Sequence, residues 1–189
     1  IKPKRTIRFA LFNGEEQGIF GSWAYTKEHI NELNNHIITS TIDIGTGKIS
    51  DFFVNGREEI INAVDKVLSA VQEQGPFEQV NVPVVGTDNY DFMMNGVANL
   101  VANQQGANYP SNYHAESDTF DKVDQKQLKL NAAIMGALTL GFANFGDIYW
   151  QQQTTREVEE MVKKLDIESA MKTFGLYESW INNTRGIKH

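Results

Sequence analysis

The 189-residue sequence has no cysteine, which excludes disulfides and thiolate chemistry and leaves the redox compartment open. It has no excess of basic residues either: 17 Lys and Arg against 24 Asp and Glu give a formal charge of -7 and a pI near 5.1. A nucleic-acid surface needs clustered cations to neutralise phosphates, so that partner is excluded, and an anionic membrane is disfavoured for the same reason. No apolar run approaches the ~20 residues that span a bilayer, and Ile1-Lys-Pro-Lys-Arg5 has no apolar leader segment. Position 1 is Ile, not Met, so the chain is expected to begin inside a longer one. Internal repeats and low-complexity tracts are absent. What is present is 41% apolar and 11% aromatic content, enough for one core of ordinary size and too little for two generous domains.

The most distinctive stretch is Phe9-Ala-Leu-Phe-Asn-Gly-Glu-Glu-Gln-Gly18, an apolar run ending in two adjacent carboxylates between glycines. Thr6 to Asn13 is predicted as a buried parallel strand that delivers Glu15 and Glu16 to a catalytic rim. Gly18 to Leu33 has helical spacing, with Phe20, Trp23, Ala24 and Ile30 on its buried face. His36 to Ile44 and Lys48 to Val54 read as strands, closed by Gly45-Thr-Gly47 and Asn55-Gly56. Ile60, Val64, Val67, Leu68 and Val71 mark a helix. Val80 to Val85 and Val97 to Ala102 are further strand candidates, separated by a polar and aromatic segment from Thr87 to Asn95. A long loop from Asn103 to Thr119 contains His114, and long irregular loops in compact domains are commonly functional. Asp124 is a candidate N-cap for a long helix with Leu128, Ala132, Met135, Leu138 and Phe142 along one face. Thr154-Thr-Arg-Glu157 has the form of a capping box opening a helix with Val158, Met161, Val162 and Leu165 inward. Ile167, Ala170, Met171 and Phe174, stopped by Gly175, form another short helix. Residues 1–146 therefore read as one globular unit, and 147–189 as a helical extension packed on it through Leu176, Tyr177 and Trp180.

Alternating strands and helices predict an α/β fold, a mostly parallel sheet with helices on both faces, and such sheets place their sites beyond the carboxyl ends of the strands. That rule selects Glu15 and Glu16 after the first strand, Asp43 after the second, Thr87-Asp88 after another, and His114 in the long loop. Two Glu, one Asp and one His are the oxygen and imidazole donors of a zinc-like ion, with one carboxylate left to move a proton. Each has a plainer role available. Adjacent glutamates suit the first turn of a solvated helix, Asp43 before a glycine suits a turn cap, and a lone loop histidine is commonly solvated. His29, His36 and His189 have no carboxylate context, and Asp118, Asp121 and Asp124 read as turn and cap residues. Ser117-Asp118-Thr119 offers no nucleophile elbow, which disfavours a serine hydrolase.

Taken together, Asn13-Gly-Glu-Glu-Gln-Gly-Ile-Phe-Gly-Ser22, Asp43 before Gly45, Gly86-Thr-Asp-Asn-Tyr-Asp-Phe92 and Tyr113-His-Ala-Glu-Ser-Asp-Thr-Phe-Asp-Lys-Val-Asp124 resemble the co-catalytic di-zinc exopeptidases that include bacterial leucyl aminopeptidases and plasma glutamate carboxypeptidase. The resemblance covers roughly Thr6 to Asn144 and implies a zinc-exopeptidase sheet of the phosphorylase/hydrolase-like type. It implies Glu15 as general base, Glu16 and His114 as ligands of one Zn2+, Asp43 as ligand of a second, and a peptide as substrate. Asp88 matches a motif acid, but the family commonly has His where this chain has Asn89. The family is commonly exported, which implies a periplasmic or extracellular protein.

The resemblance also implies a His-x-Asp motif upstream of the Glu-Glu strand, and no His precedes Glu15. The chain is therefore expected to start midway through a catalytic domain, with Thr6 to Asn13 lacking neighbours on one side, and to be inactive alone, binding one zinc weakly or none. Two other functions fit the same framework. A non-catalytic binding or receptor module would keep the fold after losing ligands, though Glu15, Glu16, Asp43 and His114 are all present. A glutaminyl cyclase-like acyl transferase would be expected to alter the Glu-Glu signature, which is intact.

Overall fold

A computed structural model describes residues 2–187. The elements in chain order are α1 (Phe20–Glu28), β1 (Thr39–Thr41), β2 (Ile49–Phe53), α2 (Ile61–Leu68), β3 (Glu78–Val80), α3 (Asn89–Met94), β4 (Asn99–Gln104), α4 (Tyr109–Asn112), α5 (Gln125–Asn144), α6 (Thr155–Lys164), α7 (Ile167–Thr173) and α8 (Tyr177–Ile181), with short 3-10 turns between some of them. The strands form one sheet in the order β1-β4-β2-β3. β1 pairs β4 and β2 pairs β3 in parallel, while the central β2–β4 pair is antiparallel. The expected α/β sheet is present, and its mixed character comes from that central pair.

One face carries the larger core, in which Ile49, Phe52 and Leu100 of the sheet meet Val64 and Leu68 of α2 and Ile134, Leu138 and Phe142 of α5. α1 and α3 pack together, and α3 lies against β1 and β4. Every residue of α3 is buried. The C-terminal helices bring Val158, Val162, Met171 and Trp180 against Ile19, Tyr90, Met93 and Met94. The expected contacts of Leu176 and Trp180 form there, and both are buried.

Several expected elements differ. Thr6 to Asn13 forms no strand: it has no ladder partner on either side, and Phe9 and Leu11 are 88% and 99% exposed. A strand exists only where a second backbone accepts and donates in register, and among the described residues β1 bonds β4 alone. The segment is tethered at its ends instead. Arg5 N–H bonds the Ala143 carbonyl at 3.2 Å, its guanidinium reaches the Phe145 and Gly146 carbonyls at 2.6 and 3.0 Å, and Phe12 packs on Tyr25 and Phe92. The buried face of α1 is Ser22 and Thr26, not the expected set: Phe20, Ala24 and Ile30 are exposed and Trp23 is half-buried. Their hydroxyls are satisfied, Ser22 donating to Asp91 Oδ2 and Thr26 to the Trp23 carbonyl, both at 3.0 Å, which permits their burial. The expected strand from Val80 to Val85 does not form: β3 ends at Val80, and Val84 N–H donates to Asn55 Oδ1 at 2.8 Å. Thr87 to Asn95, expected as a connector, contains α3. Along α5 the inward line runs Asn131, Ile134, Leu138 and Phe142, while Leu128 and Ala132 face outward. Both expected caps form: Asp124 accepts from Lys126 and Gln127 N–H, and Thr154 and Glu157 make the reciprocal capping box.

Candidate active site

The carboxylate pair sits in a closed turn. Gly18 and Ile19 N–H both donate to the Glu15 carbonyl, at 3.0 and 2.8 Å, and Phe20 N–H donates to that of Gly14 at 3.0 Å. Gly14 and Gly18 adopt φ of 75° and 127°, open to glycine and costly for other residues. Glycine at both ends thus lets the chain reverse within a few residues, so Glu15 turns inward, half-buried, while Glu16 stays exposed.

Asp43 follows β1 in a loop closed by Gly45 N–H on the Asp43 carbonyl at 3.0 Å. Gln104 of β4 donates to the Gly45 and Gly47 carbonyls at 2.7 and 3.1 Å, and Asn131 of α5 donates to that of Gly47 at 2.8 Å. A Cβ at Gly45 would come within 2.8 Å of the Tyr109 ring, so this glycine lets α4 close over the loop. Beyond α4, His114 has φ 54° and stacks on Tyr113 with ring centres 3.8 Å apart. Its Nε2 lies 2.8 Å from Glu16 Oε1.

These loops converge on one cavity of about 200 Å³, lined among others by Glu15, Glu16, Asp43, Thr87, Tyr109 and His114. The four residues singled out from the sequence therefore come together, although the Thr6–Asn13 strand meant to deliver two of them does not form. Asp118, expected as a turn residue, also lines the cavity. Asp88 Oδ1 is buried without a hydrogen-bond partner. Asn89 instead bonds the Val84 carbonyl and Asn99 Oδ1 at 3.0 and 3.2 Å, so it is a structural residue facing the sheet. Sequence reading missed Tyr109, whose only signal was the glycine at position 45 that makes room for it.

Negative charge dominates the electrostatics. Burial, then the charges of Asp43, Glu16 and Asp88, push the Glu15 carboxyl up to about 7, and His114 opposes them. Burial, then Asp88 and Glu16, push Asp43 up as well. Burial, then Tyr113 and the charges of Asp43, Glu16 and Glu15, raise the Tyr109 phenol to about 12. Such a cluster is relieved by protonation or by a cation. Carboxylate and imidazole donors suit a zinc-like ion in chemistry. In number they fall short: among the described residues no group of three His, Asp or Glu is placed to hold a metal ion.

The remaining histidines lie elsewhere. His29 Nδ1 contacts the Glu32 carboxylate, so it does have a carboxylate neighbour, and His36 bonds Tyr25 Oη and the Glu32 carbonyl at 2.8 and 3.0 Å. His189 lies outside the described residues.

Comparison with known proteins places these features in context. The profile of Peptidase family M28 matches residues 1–139. Carboxypeptidase Q of Bos taurus is 28% identical over 148 residues, covering 78% of this chain and 31% of its own length. The Homo sapiens protein of the same name is 26% identical with the same coverage. A peptidase M28 precursor from Shewanella amazonensis SB2B superposes with a TM-score of 0.71 at 27% identity, over 82% of this chain and 35% of the other. The chain thus spans about a third of the length of the curated relatives it matches.

Proposed function

The chain belongs to peptidase family M28, and on that premise we propose that the whole protein is a zinc-dependent exopeptidase in which Glu15 is the general base, Glu16 and His114 bind one zinc and Asp43 binds a second. The observation that carries this reading is the convergence of Glu15, Glu16, Asp43 and His114, from three separate loops, on one cavity. Three ligands do not fill two zinc coordination spheres of about four donors each, and the rest would come from outside the described residues.

When bound, the zinc ions would lower the pKa of the attacking water and polarise the scissile carbonyl. Glu15, not committed to a metal in this reading, would be the residue to take a proton from an attacking water and pass it to the leaving amine. The closed turn from Gly14 to Ile19 aims two neighbouring carboxylates at different tasks, Glu15 inward and Glu16 toward His114. Substrate is a peptide held at one end. No Lys or Arg is among the cavity-lining residues, so a terminal carboxylate would take its cation from elsewhere. Release outside the cytoplasm follows from the resemblance to exported exopeptidases, and the Shewanella relative is described as a precursor.

The test is Glu15→Gln in the whole protein. Peptide turnover is expected to fall ~100-fold or more, the share a positioned base supplies, with zinc content unchanged. Retained turnover would remove Glu15 from this role.

A further inference from the structure

The carboxylate turn is held from behind by the C-terminal segment, through one buried cation. Arg185 is 4% exposed. Its Nε and Nη2 donate to Asp91 Oδ1 and Oδ2, both at 2.7 Å, a two-pronged pair inside the molecule. Its Nη1 donates to the Gly18 carbonyl at 2.9 Å and Nη2 to the Ile19 carbonyl at 3.0 Å. The guanidinium lies 5.2 Å from the ring centres of both Trp23 and Tyr90. Ser22 Oγ supplies a further bond to Asp91 Oδ2 at 3.0 Å.

Those partners adjoin two stretches that line the cavity. Gly18 and Ile19 close the turn that carries Glu15 and Glu16, and Asp91 lies in α3, which begins directly after Thr87 and Asp88. Ile19 adopts φ 59° and ψ 44°, a left-handed conformation that β-branched residues rarely take and that persists where surroundings over-determine it. Two carbonyl bonds from a rigid planar fork, itself anchored on a buried carboxylate, supply that determination. The segment bearing Arg185 is fastened in turn: Arg185 N–H bonds the Ser179 carbonyl at 3.2 Å and Ile187 N–H bonds that of Met94 at 3.0 Å. A Cβ on Gly186 would come within 2.9 Å of the Trp180 ring.

We propose that Arg185 is a positioning residue for the Glu15–Glu16 pair, so that the C-terminal segment, which lies beyond the 1–139 family match, fixes the backbone from which both carboxylates are aimed. This rests on the reading of Glu15 and Glu16 as working carboxylates. Lysine could pair with Asp91 but cannot serve both its oxygens and two carbonyls at once.

Amide hydrogen exchange tests the clamp without relying on activity. Two variants are compared with wild type: Arg185→Lys, and the double variant Asp91→Asn/Arg185→Met, which leaves no unpaired buried charge. Exchange at Gly18, Ile19 and Phe20, whose N–H groups close the turn, is expected to accelerate by about 10-fold or more, with β4 amides such as Leu100 and Val101 changing by less than about 3-fold. Equal acceleration at both places, no acceleration at the turn, or loss of the whole fold in both variants would overturn the proposal. Peptide turnover by the whole protein then separates the clamp from the reading beneath it. Turnover number is expected to fall at least about 10-fold in Arg185→Lys with KM within about 3-fold, and a loosened turn with undiminished turnover would overturn the positioning role. A wild-type protein that cleaves no peptide, yet shows the selective exchange response, would remove the peptidase and leave the clamp.

Discussion

Glu15 and Glu16 adjoin in sequence and differ in surroundings: Glu15 faces into a carboxylate cluster, while the Glu16 side chain is 58% exposed and meets His114. The difference has a measurable consequence for the metal-free chain. The Glu15 carboxyl titrates near 4.5 in an unfolded chain and near 7 in the folded one, so the folded state holds more protons between those values and stability falls as pH rises through that window. Asp43 is shifted in the same direction and adds to the trend. Thermal unfolding at pH 4 and pH 8 is expected to show Glu15→Gln close to wild type at the lower pH and more stable at the higher. The gap should be a few degrees at most, because solvent screens a partly exposed group. Equal melting at both pH values would show that the cluster does not strain Glu15. The identities of Glu15, Glu16, Asp43 and His114 were legible in sequence because each sits beside a glycine or in a motif. Arg185 was not: nothing near it signals that it ends on carbonyls of residues 18 and 19.

At the scale of elements, caps and stripes behave differently. Asp124 was readable as the start of α5 because capping is decided within three residues, and its carboxylate accepts from two N–H groups at 3.0 Å. Asp124→Ala is expected to cost about 1 kcal/mol in denaturant unfolding. The inward stripe of α5 was less readable, since leucines lie on more than one side of the helix and an asparagine holds a core position by bonding Gly47. Leu138→Ala should cost ~2–5 kcal/mol, whereas Leu128→Ala, at a position 42% exposed, should stay within about 0.5 kcal/mol. Similar losses at both would place the stripe where the sequence pattern alone put it. Thr6 to Asn13 has a buried strand's composition without a strand's partner, and composition does not supply a ladder.

Over the whole molecule, the loops bearing Glu15 and Glu16, Asp43 and His114 meet at one cavity, and the C-terminal helices pack on α3. Calorimetric titration of zinc into the 189-residue chain is expected to show no pair of tight sites, because no three ligands among the described residues are arranged around one point. Two tight sites would overturn that. No helix among the described residues is long and apolar enough to cross a membrane. Local sequence determined the turn glycines, the helix caps, the four acidic and histidine residues that line one cavity and the motifs of the family, since each is encoded within a few neighbouring positions. Tertiary structure alone decided that residues 6–13 stay unpaired, that Tyr109 closes over Gly45, that Asn89 faces the sheet and that Arg185 grips the carboxylate turn. Those outcomes depend on which distant backbone or side chain lies within about 3 Å, the reach of a hydrogen bond, and only the folded chain brings such partners together.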